Sequence, residues 1–197
     1  FALAIVFFAF TITSAQDEQS PIVEKKISYK NWTLRDVRTG EERSLRDLAA
    51  GKKLVVVGDV PYQDAWAEKL KSVIHPDVLF LGYITNPGEL MALYQHCFVY
   101  LHGHEFGGTN PTMLKAMACQ CAILALDTSF NREMLQDGTF GVFFDKLPSS
   151  VAEQMLNLEE KPEQVNELKV NVSKALTEKY NWDAITESYL DAIKSLT

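Results

Sequence analysis

The chain has 197 residues, of which 47% are hydrophobic and 23% charged, a composition typical of a globular protein with a sizeable core. Its formal net charge of -7 and pI of about 5.1 argue against a nucleic-acid partner, whose phosphates would need a basic surface. The three cysteines, Cys97, Cys119 and Cys121, have neither the spacing of a zinc site nor that of a disulfide framework. We therefore expect reduced thiols.

The first fifteen residues are almost wholly apolar and end in Thr13, Ser14 and Ala15, small residues of the kind that precede a signal-peptidase cut. The stretch is shorter than the roughly 20 residues of a membrane-spanning helix. It is typical of a secretory hydrophobic region that lacks its basic start, and a buried strand or core helix is the alternative. We assign residues 1–15 to a hydrophobic, signal-like leader and residues 16–50 to a linker and a β-hairpin appendage.

The hairpin is predicted from an alternating strand at Trp32–Val37, a turn at Gly40 and a second short strand at Arg43–Leu45. This region resembles the opening of exported thioredoxin-like proteins, in which the next strand leads to a Trp-Cys-x-x-Cys site. Here the corresponding segment, Gly58–Tyr62, contains no cysteine. Thiol chemistry is therefore not expected.

After residue 53, short apolar runs alternate with helical stretches, which is typical of a parallel sheet with crossover helices. The predicted strands are Leu54–Val57, Val78–Leu81, Phe98–Leu101, Ala122–Leu126 and Gly141–Phe144. The predicted helices are Gln63–Ile74, Glu89–His96, Thr112–Cys119 and Asn131–Gln136, followed by a helical tail of Pro148–Leu158, Pro162–Tyr180 and Asp183–Leu196. The predicted fold class is α/β, with residues 51–197 forming one domain.

The segment 102–118 carries the clearest functional signal. It begins directly after a predicted strand and contains two adjacent glycines, Gly107 and Gly108. A helix then begins, with Asn110 as its N-cap and Pro111 at the first helical position.

At that helix start, the N–H groups of Thr112 and Met113 are expected to be exposed at the positive end of the helix dipole. Together with the close backbone approach that Gly107 and Gly108 allow, they predict an anion site at the carboxyl edge of the sheet. A Gly-Gly turn before a helix also occurs in α/β folds that bind no ligand, so both interpretations stay open on this ground alone.

An ordered set of motifs resembles the C-terminal, donor-binding domain of retaining glycosyltransferases with two Rossmann-like domains (the GT-B type). The matching segments are Leu54–Asp59, Val78–Tyr83, Leu90–Tyr94, Gly107–Ala118 and Asp127–Glu133. Gly-His-x-x-Gly-Gly-Thr-Asn-Pro followed by Asn-Arg-Glu is most similar to the bacterial rhamnosyltransferase-like branch. The resemblance implies a Rossmann-like parallel sheet with flanking helices.

The resemblance also implies where a nucleotide sugar would bind. The turn Gly82-Tyr83-Ile84 matches the contact with the base, and Gly107 to Asn110 match the loop that faces the diphosphate and sugar. Glu133 could approach the sugar hydroxyls, or it is a first-turn glutamate favoured by the helix dipole. The candidate donor-binding residues are Gly58, Gly82, Tyr83, Ile84, Gly107, Gly108, Thr109, Asn110, Lys115 and Glu133. No catalytic residue is assigned.

The sequence departs from the family pattern at two places. Lys115 stands where a carboxylate usually holds the ribose hydroxyls, and an ammonium can only donate hydrogen bonds. The Arg and Lys that neutralise the diphosphate are absent ahead of Leu54. Lys52, Lys53 and Lys115 are either their replacements or ordinary solvated lysines.

A metal site is not expected, because His102, His104 and Glu105 on one loop supply only part of a coordination shell. No cofactor is expected beyond the donor itself.

The resemblance implies transfer of a hexose or deoxyhexose from a nucleotide-sugar donor to a glycan or lipid-linked acceptor in polysaccharide assembly. The acceptor-binding domain of such enzymes has no counterpart in this sequence. The alternative hypothesis is therefore a non-catalytic chimera or truncated fragment with at most weak nucleotide binding. The transferase-like part would act in the cytoplasm or at a membrane contacted through residues 1–15, whereas the leader suggests export.

Overall fold

The computed structural model describes residues 6–10, 33–36, 39–40, 42–44, 53–58, 65–72, 75 and 77–196. The chain forms two compact units, Phe1–Cys97 and Phe98–Thr197. Each unit has its own strands and helices.

The first unit contains two sets of paired strands. Its strands are β1 (Val6–Phe10), β2 (Thr33–Arg35), β3 (Glu42–Ser44), β4 (Lys53–Val57) and β5 (Val78–Gly82), and its helices are α1 (Ala65–Lys71) and α2 (Pro87–His96). β4 and β5 are parallel, as the sequence predicts, with Val55 opposite Leu79. Val55, Val56 and Val57 are all buried, as expected of a strand that is covered on both faces.

β1 lies within the apolar leader. Val6–Phe10 pairs antiparallel with β4, with Phe8 opposite Val55. For these five residues the structure therefore shows a strand, which was the alternative to a signal-like region. This strand adds an antiparallel neighbour to the parallel β4–β5 pair. The remainder of residues 1–15 lies outside the described residues, and export or cleavage stays a prediction.

The predicted hairpin is confirmed. β2 and β3 pair antiparallel, with Leu34 opposite Arg43, and Gly40 adopts a φ of 73° in the turn between them. The buried carboxylate of Asp36 accepts hydrogen bonds from the N–H of Thr39 (3.1 Å) and from the N–H of Phe80 in β5 (3.0 Å). The hairpin is therefore hydrogen-bonded to β5 of its own unit.

The second unit is a three-stranded parallel sheet with helices. Its strands are β6 (Val99–His102), β7 (Ile123–Leu126) and β8 (Val142–Phe144). Leu101 lies opposite Leu124, and Leu124 lies opposite Val142. Its helices are α3 (Pro111–Ala118), α4 (Ser129–Met134), α5 (Pro148–Glu160), α6 (Pro162–Asn171), α7 (Lys174–Glu178) and α8 (Trp182–Lys194), with a 3₁₀ turn at Gln136–Gly138. This confirms the predicted α/β architecture.

The core of the second unit is centred on β7, all four residues of which are buried. Met113 and Met117 of α3 and Leu135 are fully buried, and Leu158 is only 1% exposed. Burying each such side chain contributes about 1.5–3 kcal/mol. The packing fixes β6 and α3, and with them the loop that joins the two.

One predicted helix is wrong in detail. Pro162–Tyr180 is not continuous, because α6 ends at Asn171 and α7 begins at Lys174. At the break the N–H of Leu176 bonds to the carbonyl of Ser173 three residues back, which tightens the turn. The break accompanies the complete burial of Val172 and Ala175. No helix in the described part of the chain is both long and apolar enough to cross a membrane.

Replacing Asp36 tests the link between hairpin and sheet. Asp36→Ala removes an acceptor shared by two backbone N–H groups, and we expect a loss of about 1–3 kcal/mol in the free energy of unfolding. Urea unfolding of the full chain measures it. Asp36→Asn keeps the volume but turns one oxygen into a donor that faces an N–H, so it should also destabilise. Wild-type stability in Asp36→Asn would contradict this account.

Candidate functional site

The carboxyl ends of the three parallel strands of the second unit carry the candidate site. The loop after β6, residues 103–110, is joined to the segment after β7 by the buried side chain of Asn131. Its amide donates to the carbonyls of His104 (3.0 Å) and Leu126 (2.8 Å). The N–H of Asn110 also contacts the sulfur of Met134, at 3.3 Å. The loop therefore lies at the carboxyl edge of the sheet, where the sequence predicts it.

The segment after β8 contacts the same loop. Lys146 forms an ion pair with Glu105, and both side chains are partly exposed. All three strand ends thus contribute to one surface, which is where parallel sheets commonly bind ligands.

Three consecutive exposed residues of this loop, Gly107 to Thr109, carry backbone N–H groups that are open to a ligand. Gly107 and Gly108 are exposed, and Gly107 has a φ of +128° that side chains rarely adopt. A Cβ added at Gly108 would meet nothing within 4 Å. Among the described residues, none accepts a hydrogen bond from the N–H of Gly107, Gly108 or Thr109. These three amides are available to a ligand.

The prediction for Thr112 and Met113 is wrong. Their N–H groups do not face outward but donate to the side-chain oxygen of Asn110, at 2.9 and 3.3 Å, and Met113 is fully buried. The predicted N-cap is confirmed, and it is the reason for the correction, because an N-cap amide satisfies the donors that would otherwise bind an anion. Pro111 has no N–H. Donors must therefore come from the loop before α3.

A chain of hydrogen bonds runs from this cap into the strand. The hydroxyl of Thr112 donates to Asn110 Oδ1 (2.6 Å), and the hydroxyl of Tyr100 donates to Thr112 Oγ1 (3.2 Å). Because the only proton of the Tyr100 hydroxyl is used in that bond, the hydroxyl oxygen can only accept a hydrogen bond from His102 Nδ1, 3.1 Å away. The proton of neutral His102 is therefore assigned to Nδ1, and Nε2 carries the lone pair.

His102 is held in the neutral form. It is buried, and its Nε2 has no hydrogen-bond partner among the described residues. Burial, together with the nearby His104, lowers the pKa of His102 from 6.5 to about 4. The ring centroids of the two histidines are 5.9 Å apart. His102 therefore acts in the positioning chain behind the loop and carries no charge at neutral pH.

The predicted cations lie in different surroundings. Lys115 is exposed on α3, and Lys53 forms an ion pair with Asp77 in the first unit. Lys52 lies outside the described residues. Lys53, a candidate cation for the diphosphate, is thus also part of a structural ion pair.

In the first unit, the predicted residues also meet at strand ends. The N–H of Gly58, after β4, donates to the carbonyl of Gly82 at the end of β5 (2.7 Å). Both glycines have positive φ, 110° and 62°. The next residue, Tyr83, is 65% exposed, and Ile84 is half-buried. An exposed aromatic ring therefore follows the joined ends of these parallel strands.

A cavity of ≈ 380 Å³ in the second unit brings together Thr109 and Glu133, two of the candidate donor-binding residues. Its wall also includes Lys179, Tyr180 and one face of α8. Lys179 Nζ lies 2.9 Å from Glu133 Oε1. Sequence reasoning missed Lys179 and Tyr180, because they follow the glycine loop by about seventy residues and no motif marks them.

The neighbours of Lys179 in this cavity stabilise its charged form. Partial burial acts to lower the pKa of Lys179, but its hydrogen bond to Glu133 and the charge of Tyr180 outweigh that effect, so the pKa is raised. Burial raises the pKa of Tyr180. Lys179 is therefore a cation throughout the physiological range. Within the described ranges, no three His, Cys, Asp or Glu side chains are grouped as metal ligands.

The neutral state of His102 makes stability depend on pH. The unfolded chain binds the proton near pH 6.5 and the folded chain only near pH 4, so stability is full above about pH 6.5 and falls as the pH decreases towards 4. The loss attributable to His102 approaches about 3 kcal/mol. We expect His102→Asn to lose less stability than wild type between pH 7 and pH 4 in urea unfolding. Equal losses in both proteins would contradict the assignment.

The family described as Glycosyl transferases group 1 matches residues 32–161, a range that includes the hairpin. No curated protein sequence matches the chain.

Three solved structures share the fold, each with a TM-score of 0.58. Sucrose-phosphate synthase from Thermosynechococcus elongatus is 16% identical over 72% of this chain and 38% of its own. HepE from Anabaena, solved in complex with UDP, is 16% identical over 72% of this chain and 40% of its own. TarM is 19% identical over 74% of this chain and 29% of its own.

This chain therefore spans well under half the length of these GT-B structures, with which it shares a Rossmann-like fold. The family match covers more than half of the chain and ends after the strands and loops that form the candidate site. The chain belongs to the group 1 glycosyl transferases.

Proposed function

We propose that this chain binds the nucleoside diphosphate sugar donor of a glycosyltransferase, with the diphosphate held by the loop Gly107–Thr109. The enzyme would transfer a hexose or deoxyhexose to a glycan or lipid-linked acceptor. The rhamnosyltransferase-like motif supports a role in polysaccharide assembly, in the cytoplasm or at a membrane surface.

The observation that carries this proposal is the set of available amides at Gly107, Gly108 and Thr109. They lie at the carboxyl edge of a parallel sheet, immediately before the positive end of α3, so both the donors and the local field suit a phosphate. The buried side chain of Asn131 in α4 holds the loop through its hydrogen bond to the carbonyl of His104, so the loop loses little conformational freedom on binding.

Further support comes from the residues around the loop. Glu133 shares a cavity with Thr109, and its carboxylate is suited to accept hydrogen bonds from sugar hydroxyls. Membership in the group 1 family and the UDP complex of HepE are consistent with a nucleotide ligand.

Ligand protection tests the proposal directly. At millimolar dTDP, UDP or GDP, at least one ligand should raise the unfolding temperature of the full chain; saturation to about 100 times Kd corresponds to about 2.7 kcal/mol. Gly108→Ala should bind more weakly without losing stability, because its Cβ enters open space where the phosphate would lie. Gly103→Ala, which also meets nothing within 4 Å, is the matched control. If no nucleotide protects wild type, the non-catalytic alternative is correct.

Lys115 offers a second test. Lys115→Glu restores a carboxylate that can accept from two ribose hydroxyls, so we expect UDP to bind about three to ten times more tightly, the equivalent of one hydrogen bond. Lys115 is exposed, so the fold should tolerate the change. Calorimetric titration with UDP measures the effect, and an unchanged or weaker affinity would reject this role for position 115.

A further inference from the structure

The diphosphate of a nucleotide sugar needs a cation as well as amides, because its negative charge increases as the glycosidic bond breaks. Three cations of the second unit contact residues of the strand-end loops or of α4. Arg132 is bound by both oxygens of Asp127 and lies over the ring of Phe143, 4.9 Å from its centroid. Lys146 pairs with Glu105. Lys179 alone of the three lines the cavity that contains Thr109.

We propose that Lys179 is the cation that meets the donor diphosphate, and that Glu133 holds it in place by an ion pair which the diphosphate replaces. This inference rests on the proposed function, since it concerns the same ligand. Lys179 lies outside the glycine-rich motif and outside the range matched by the family, which ends at residue 161.

Breaking the ion pair between Lys179 and Glu133 costs little free energy, because both side chains are open to water. The side chain of Lys179 is 39% exposed and that of Glu133 is 69% exposed. An ion pair this open to water contributes little to stability, so it can be broken without disturbing the fold. A diphosphate offers more negative charge than one carboxylate, and the Gly107–Thr109 amides would bind it at the same time.

The exchange has a consequence for Glu133. Once Lys179 turns to the phosphate, the carboxylate of Glu133 is free to accept hydrogen bonds from the transferred sugar. The cavity that both residues line, ≈ 380 Å³, has the size of a small-molecule site, and the ring of Tyr180 forms part of its wall. Glu133 therefore has opposite effects on the two parts of the donor. It competes for Lys179 with the diphosphate, and it binds the sugar.

Calorimetric titration of the full chain with inorganic pyrophosphate and with UDP-glucose tests this opposition. For pyrophosphate, Lys179→Ala should weaken binding about tenfold, the effect of one charge-assisted hydrogen bond. Glu133→Gln should strengthen it about two- to fivefold, because Lys179 is released. For UDP-glucose, Glu133→Gln should instead weaken binding relative to UDP.

Two controls isolate the role of Lys179. Lys179→Arg keeps the charge and should retain most of the affinity. Lys194→Ala removes the same charge from another exposed ion pair, with Asp191, and should change pyrophosphate binding by less than about twofold. Circular dichroism should show the same helix content in all variants, because both pairs are exposed.

The outcomes separate the two proposals. If wild type binds pyrophosphate and Lys179→Ala binds it equally well, the role of Lys179 is wrong and the proposed function stands. If Glu133→Gln weakens pyrophosphate binding, the exchange is wrong. If wild type binds none of pyrophosphate, dTDP, UDP, GDP and UDP-glucose, the proposed function is wrong and this inference with it.

Discussion

The side-chain oxygen of Asn110 accepts three hydrogen bonds, two from backbone N–H groups of α3 and one from the hydroxyl of Thr112. This cap fixes the end of the loop against the helix and satisfies the donors of the first helical turn. It also orders Tyr100 and His102 behind the loop, because each can then donate in only one direction. The free donors of the site are consequently the loop amides, and their positions depend on this cap together with the hydrogen bond from Asn131 to the loop.

Charge at the site is organised in pairs. The chain is acidic overall, and Lys146 and Lys179, which contact the strand-end region, are each paired with a glutamate. Paired charges in solvent contribute little to stability. They do keep cations near the loop in a chain whose net charge would otherwise repel an anion. An anionic ligand would then replace a carboxylate in such a pair, and charge already present in the protein would be redistributed.

The first unit contains both parallel and antiparallel strands. The match begins at residue 32 and includes the hairpin, which Asp36 connects to β5. The strand Val6–Phe10 pairs antiparallel with β4, next to the parallel β4–β5 pair. In the first unit, the parallel β4–β5 pair therefore has one antiparallel neighbour, β1, and export of the protein stays a prediction.

Local sequence patterns predict the order of the strands and helices after residue 53, the hairpin at Gly40 and the N-cap at Asn110, because these features depend on periodicity and on residues a few positions apart. They also identify the glycine loop, through its motif. The N-cap also accounts for the capped N–H groups of Thr112 and Met113. Tertiary structure was needed to show that residues 6–10 pair with β4 and that Lys179 meets Glu133. These outcomes depend on which groups satisfy each other's hydrogen bonds and charges across long separations in sequence, and neither periodicity nor spacing encodes that choice.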